Sequence, residues 1–231
     1  MLRAIVAVAL TLFVMQARAQ FAGSITLSSD YRFRGVSLSD DRPSAQLAFD
    51  YDLPSTGWYA GGMMASVRLD DPRQAAQWLV YAGYASRLTA NLSWDAGERY
   101  TRFTGPESYA YAETYVGLTY QQLVGRVYYA PDYFNFGYPA WYAELNDSHT
   151  LVGRWYVFGH VGYLRRDGDV ADYHASRYRS DLRAGIGLAL TPCDVQLSWS
   201  TVRGASYEVF GYPASQGVTR NAWILSFSYA W

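Results

Sequence analysis

The chain has 231 residues, of which half are hydrophobic and 17% aromatic, yet its mean hydropathy is only −0.14 and its formal charge −1. That balance excludes a disordered chain, which is poor in aromatics, and a helical membrane protein, which needs runs of about 18 apolar residues. All 19 basic residues are arginine, which removes lysine-dependent phosphate loops and Schiff bases, and a pI of 6.3 argues against a nucleic-acid partner.

The first segment reads as an export signal. Met1-Leu2-Arg3 is a short positive region, Ala4–Met15 is an apolar stretch of 12 residues, and Ala17-Arg18-Ala19 has the small-x-small form of a cleavage site. The expected organisation is a signal peptide over residues 1–19 and one domain over 20–231, with an uncleaved anchor as the alternative.

From there on the dominant signal is alternation with period two, the spacing at which strand side chains point to opposite faces. Ile25, Leu27, Tyr31 and Phe33 alternate with Thr26, Ser28, Asp30, Arg32 and Arg34. Ala45, Leu47, Phe49 and Tyr51 alternate with Gln46, Ala48 and Asp50. Tyr59, Gly61, Met63, Ala65 and Val67 alternate with Gly62, Met64, Ser66 and Arg68, and Leu88–Ala96 follows the same rule. Less regular strands are expected over Gln77–Ala85, Tyr109–Tyr120, Leu123–Ala130, Trp141–Asn146 and Trp155–Leu164. Alternation returns in Asp181–Leu188, in Asp194–Ser200 and most clearly at the end, where Trp223, Leu225, Phe227, Tyr229 and Trp231 share one face. No segment has a helical period, and the count is twelve strands.

Connections after odd strands are long (Gly35–Arg42, Pro131–Pro139, Val202–Arg220), and most of those after even strands are tight. Long loops at one end and short turns at the other are the layout of an outer-membrane barrel. With odd strands running outward, Phe33, Trp78, Tyr100, Tyr129, Trp141, Tyr163, Trp199 and Trp223 fall near the outer rim. Tyr51, Tyr59, Tyr84, Tyr120, Trp155, Tyr229 and Trp231 fall near the periplasmic rim, which makes two aromatic girdles. The expected fold is therefore all-β, a transmembrane antiparallel up-and-down barrel of about twelve strands, with a soluble sandwich or lipocalin-like barrel as the alternative. Phe227, Tyr229 and the terminal Trp231 resemble the signal read by the barrel-assembly machinery of the outer membrane.

Ser29-Asp30-Tyr31-Arg32-Phe33-Arg34-Gly35-Val36-Ser37, Pro43-Ser44-Ala45-Gln46 and Tyr128-Tyr129-Ala130-Pro131-Asp132-Tyr133-Phe134 resemble, in order along the chain, segments of the TorF-type porin family of proteobacterial outer-membrane proteins. The chain departs from the pattern at Pro43-Ser44-Ala45, where Pro-Ala is usual, and in ending on Trp rather than Phe. The resemblance implies an outer-membrane barrel in a Gram-negative bacterium and no particular substrate.

The expected lumen residues are Asp30, Arg32, Arg34, Arg68, Arg99, Glu113, Arg126, Asp181 and Arg183, with Asp50, Asp95 and Glu144 as further acids. Arginine pairs bidentately with carboxylates, so these residues read either as a charge ladder that selects solutes or as struts that satisfy buried charge. Asp30, Arg32 and Arg34 share a strand face and are the constriction candidates, with Glu113 as the expected acid across the barrel. Tyr109, Tyr111, Tyr115, Tyr128, Tyr142 and Tyr156 read either as a stacking track for solutes or as filling.

Asp40-Asp41 and Asp70-Asp71 lie in outer loops, where carboxylates can share divalent cations with lipopolysaccharide or stand solvated. His149, His160 and His174 are scattered, Ser148-His149 is only a sequence neighbour pair, and Cys193 is single, so no catalytic or metal motif and no cofactor is expected. The functional expectation is a porin, monomeric or trimeric, that passes small solutes by diffusion and meets outer-membrane lipid and lipopolysaccharide. The alternatives are a closed structural or adhesion-type barrel that binds through its loops and, third, a lipid hydrolase.

Overall fold

The computed structural model describes residues 21–68, 75–104, 109–135, 137–167, 177–204 and 220–231. The signal-peptide reading, Asp70-Asp71, His174 and most of the loop Val202–Arg220 lie outside them. Twelve strands close into one antiparallel barrel: β1 (Phe21–Ser28), β4 (Ser44–Asp52), β5 (Trp58–Val67), β6 (Ala75–Arg87), β7 (Leu92–Thr104), β8 (Tyr109–Tyr120), β9 (Leu123–Ala130), β10 (Ala140–Val152), β11 (Trp155–Arg166), β12 (Tyr178–Leu190), β13 (Cys193–Arg203) and β14 (Asn221–Ala230). Each pairs with its sequence neighbours, and β14 closes on β1, with Ile25 opposite Tyr229 and Leu27 opposite Phe227. Gly23 and Trp231 exchange both backbone hydrogen bonds at the seam. Closure leaves no unpaired sheet edge, the condition for a β-structure to cross a bilayer. Two further short strands, β2 (Arg32–Phe33) and β3 (Val36–Ser37), pair only with each other.

The outer face is apolar and exposed. Ile25, Leu27, Val80, Val116, Leu118, Val127, Leu145, Val161, Leu197 and Leu225 stand on it, bordered by Trp58, Trp78, Tyr100, Tyr120, Trp141, Trp155, Tyr163, Trp223 and Trp231. A water-soluble barrel does not present an apolar band of this extent, whereas a membrane-spanning one requires it. A polar exception stands at mid-height, where the Thr114 hydroxyl donates to Glu98 Oε1 at 2.7 Å.

Three expectations need correction. The first strand ends at Ser28, not Arg34. Arg34 and Gly35 both have positive φ (51° and 80°), so the chain reverses there in a tight hairpin between β2 and β3. The alternation continues through the hairpin because its two arms are themselves extended, and Phe33 packs with Tyr31 on the interior core rather than in the outer girdle.

The second correction is an inversion of β5. Ala65 and Val67 are buried inside and Tyr59 and Met63 pack on the interior, while Trp58 and Met64 are exposed outside. Tyr59 therefore leaves the periplasmic girdle and Trp58, in edge contact with Tyr84 (5.3 Å), takes its place. The reason is that the upper lumen is filled with apolar side chains, so the greasier face of β5 points inward.

Third, Arg68 is not on a strand face: it lies just past the end of β5, where its backbone N–H donates to Leu38 O at 2.7 Å.

Candidate functional site

The lumen is built from the inward face of every wall strand and from two inserted loops. The hairpin Asp30–Ser39 leaves the end of β1 and folds into the barrel. Its internal order comes from Asp30, whose Oδ1 accepts from Ser37 Oγ (2.6 Å) and Ser39 Oγ (3.1 Å) and whose Oδ2 accepts from Arg32 Nε (2.6 Å). Arg32 also reaches Gly35 O and Asp41 Oδ1, both at 3.1 Å. Asp30 and Arg32, expected to form a constriction on a strand face, thus shape the hairpin itself. A Cβ at Gly35 would overlap Asp181 and touch Val202, so the tip of the hairpin rests on the wall at β12 and β13. Val36 and Leu38 are buried, and the Tyr31 hydroxyl donates to Gln77 Oε1 at 2.8 Å.

Arg34, beside that tip, reaches the far wall. Its Nη2 donates to Glu113 Oε1 on β8 at 2.7 Å, and Glu113 Oε2 accepts from Arg99 Nε at 3.0 Å and from Arg99 Nη2. Glu113 is 1% exposed, so one buried acid holds two guanidiniums. The surplus positive charge lies against aromatic faces: Arg34 is 4.2 Å from the Tyr142 ring centroid and Arg99 is 4.2 Å from that of Tyr128.

The second insert is the loop after β9, where Tyr133 and Phe134 are both buried. Phe134 stacks on Phe103 at 5.7 Å and lies 4.6 Å from Tyr111, while the Tyr133 hydroxyl accepts from Arg34 Nη1 at 3.3 Å. The two inserts meet at Arg34 and fill the upper lumen. Nothing in the strand periodicity announced Tyr133 and Phe134. The available signal was an aromatic run, Tyr133-Phe134, in a loop where exposed aromatics would be costly.

Below the inserts the lumen is open and polar. One cavity of about 500 Å³ runs along β4–β9 past Asp50, Tyr81, Asp95 and Arg126. Another of about 720 Å³ runs along β1, β4 and β10–β14 past Thr26, Ser28, His160, Asp181, Arg183 and Ser226. Both reach Arg99.

Tyrosines order this lower wall. Tyr59 lies against Gly83, Tyr81 against Gly61, Tyr115 against Gly97, Tyr142 against Gly162 and Tyr156 against Gly187, each so close that a Cβ on the glycine would overlap the ring or its hydroxyl. The rings therefore lie along the wall, and most of their hydroxyls end on carboxylates. Tyr59 donates to Asp95 (3.0 Å), Tyr81 to Asp50, Tyr128 to Glu144 (3.0 Å), Tyr142 to Asp181 (3.3 Å) and Tyr156 to Asp194 (2.8 Å). Arg126 adds a 3.0 Å ion pair to Asp95, and His160 Nε2 lies 2.8 Å from Asp181 Oδ1. The tyrosines read from the sequence as a track or as filling thus form the wall itself, with Tyr109 and Tyr111 packed higher, in the core under the inserts. Gly187→Ala is expected to displace Tyr156 and cost about 1–3 kcal/mol, read as a lower unfolding midpoint in detergent. The same change at Gly159, where a Cβ meets nothing within 4 Å, should leave the midpoint unchanged.

Among the described residues no group of three or more metal-ligating side chains converges. His149, the neighbour of Ser148, bonds through Nε2 to Asp147 Oδ2 (2.9 Å) near the Gly153 turn, and among the described residues no hydrogen bond joins it to the Ser148 hydroxyl. Phe227, Tyr229 and Trp231 stand exposed on the outer face beside the seam.

Solved structures share this architecture. The NanC porin in a rhombohedral crystal form aligns with a TM-score of 0.57 at 11% identity, covering 90% of this chain and 98% of that one. The KdgM porin aligns at 0.56 and 9% identity, with the same coverage. The KdgM porin in complex with disordered oligogalacturonate aligns at 0.55 and 8% identity, over 91% of this chain and 98% of that one. Identities this low establish the fold alone. No curated protein sequence matches the chain. Residues 15–225 match the model of a family described as "Bacterial protein of unknown function (Gcw_chp)", and the chain belongs to that family.

Proposed function

We propose that the protein is a narrow channel of the Gram-negative outer membrane through which small solutes diffuse passively, of the TorF type that its sequence segments resemble. The observation that carries this reading is the open, hydroxyl- and charge-lined lower lumen of about 720 Å³ directly beneath the inserted hairpin. A barrel with only a structural role has no need of a hydrated polar interior of that size, since side chains fill small barrels. Arg34, Arg99 and Glu113 hold the hairpin in place, Asp30 and Arg32 shape it, and Arg126 and Asp181 act as struts of the wall. Export would use the segment 1–19, and insertion would use Phe227, Tyr229 and Trp231 as the assembly signal. The apolar band would face lipid and the outer loops lipopolysaccharide.

The filled upper lumen favours the second reading, a closed barrel that binds through its loops. Purified protein in a planar bilayer separates the two. Discrete conductance steps in the wild type are expected for the channel, and silence at every voltage would leave the closed barrel.

A further inference from the structure

Arg183 differs from most other lumen arginines described here. Arg32, Arg34, Arg99 and Arg126 each hold a carboxylate within 4 Å. Arg183 holds none. Its Nε donates to Ser198 Oγ at 2.9 Å and its Nη2 to Gln196 Oε1 at 3.4 Å. Two of its five N–H groups are thus engaged, and three remain.

The nearest acid along the strand, Asp181, shares its face at the roughly 6.6–7 Å spacing of alternate strand residues and turns away. Its oxygens go to His160 Nε2 (2.8 Å) and the Tyr142 hydroxyl (3.3 Å). Asp194 is reached only through neutral groups: Gln196 Nε2 donates to the Tyr156 oxygen (2.9 Å), and the Tyr156 hydroxyl donates to Asp194 (2.8 Å). The guanidinium lies 5.3 Å from the Phe158 ring centroid and lines the larger cavity. Across the barrel rows its neighbours are His160 on β11 and Ser200 on β13, and the wall beyond carries Ser226, Ser228, Thr26 and Ser28, small side chains that leave the cavity open on that side.

A cation without an acid, beside a wall of hydroxyls, is complementary to an anion that carries hydroxyls. We infer that Arg183 is the contact for the carboxylate of a small hydroxylated acid, whose hydroxyls exchange hydrogen bonds with the serine and threonine side of β13, β14 and β1. The remaining N–H groups suffice for the two-pronged grip that guanidinium gives a carboxylate. The route by which such a solute reaches the site rests on the channel reading above. The contact rests on the geometry of Arg183.

The test uses the full barrel refolded in detergent, with gluconate and its uncharged counterpart sorbitol as probes, measured by calorimetry or ligand-observed NMR. Gluconate should bind the wild type more tightly than sorbitol does. Arg183→Gln should weaken gluconate about tenfold or more and leave sorbitol unchanged, and Arg183→Lys should retain part of the preference. Heat-modifiable migration on gels reports that each variant is folded. Equal binding of the two probes by the wild type, or gluconate binding indifferent to Arg183→Gln in a folded barrel, would overturn the inference. If gluconate binds through Arg183 while the bilayer stays silent, the channel reading fails and this contact stands. If the bilayer conducts and gluconate ignores Arg183, the contact fails and the channel stands.

Discussion

Replacing Glu113 with alanine is expected to unseat the hairpin and enlarge the conductance. Glu113 is the acid that both Arg34 and Arg99 grip, and its side chain is buried at the meeting point of hairpin and wall. Removing one partner of a buried charge set costs about 3–5 kcal/mol, because the charge left behind has lost both water and its counter-ion. Here two guanidiniums would be left. The Tyr142 and Tyr128 faces offset part of that cost, at about 0.5–2 kcal/mol each.

The wall has its own continuous ladder of hydrogen bonds, including Arg99 opposite Glu113 between β7 and β8. The hairpin, by contrast, is tied to the wall mainly through Arg34, Tyr31 and the Leu38 carbonyl. The loss should therefore fall on the hairpin. Single-channel recordings of Glu113→Ala should have larger and noisier steps than the wild type, with folded migration on gels retained at low temperature and lost at a lower temperature than in the wild type. Identical conductance and heat resistance would mean that Glu113 does not secure the hairpin.

The second large effect concerns Phe134, and it separates packing from backbone strain. The ring is buried between Phe103, Tyr111 and Tyr133, and truncating a buried Phe to Ala costs about 3–5 kcal/mol. Its φ of 62° is also left-handed, a conformation that costs a residue with a Cβ about 1–2 kcal/mol and glycine almost nothing. Phe134→Ala should lower the unfolding midpoint strongly, and Phe134→Gly should lower it less, reversing the usual order in which glycine is the worse substitute. The two variants are compared by thermal unfolding in the same detergent. If glycine proves worse than alanine, the left-handed turn is not what holds this loop.

The barrel interior is only partly legible in the residue order, and each departure has a physical cause. Alternation places both Arg34 and Glu113 in the lumen, and they meet there, but it carries Arg34 on a strand that ends six residues earlier, at Ser28. An Arg-Gly pair in left-handed geometry was the turn signal, and the extended arms on either side masked it with unbroken alternation. On β5 the difficulty was symmetry. Period two says that Tyr59, Gly61, Met63, Ala65 and Val67 lie together, and a one-residue change of facing leaves the pattern intact. Only the filling of the upper lumen by Leu38, Phe103 and Phe134 decides that this face turns inward. The tyrosine–glycine joints are present in the sequence as alternate glycines and tyrosines, yet Tyr156 and Gly187 become partners only through the register of β11 on β12.

By itself, then, the sequence determined the all-β architecture, the count of twelve strands, the alternation of long and short connections and the aromatic banding of most strands. Each of these is written in local spacing and in turn residues, which act within a few positions. The inserted hairpin and its aromatic counterpart, the facing of β5, the grip of Glu113 on two arginines and the isolation of Arg183 were decided only by the tertiary structure. They depend on which side chains meet across the lumen once the barrel has closed, and strand periodicity carries no information about distances across that space.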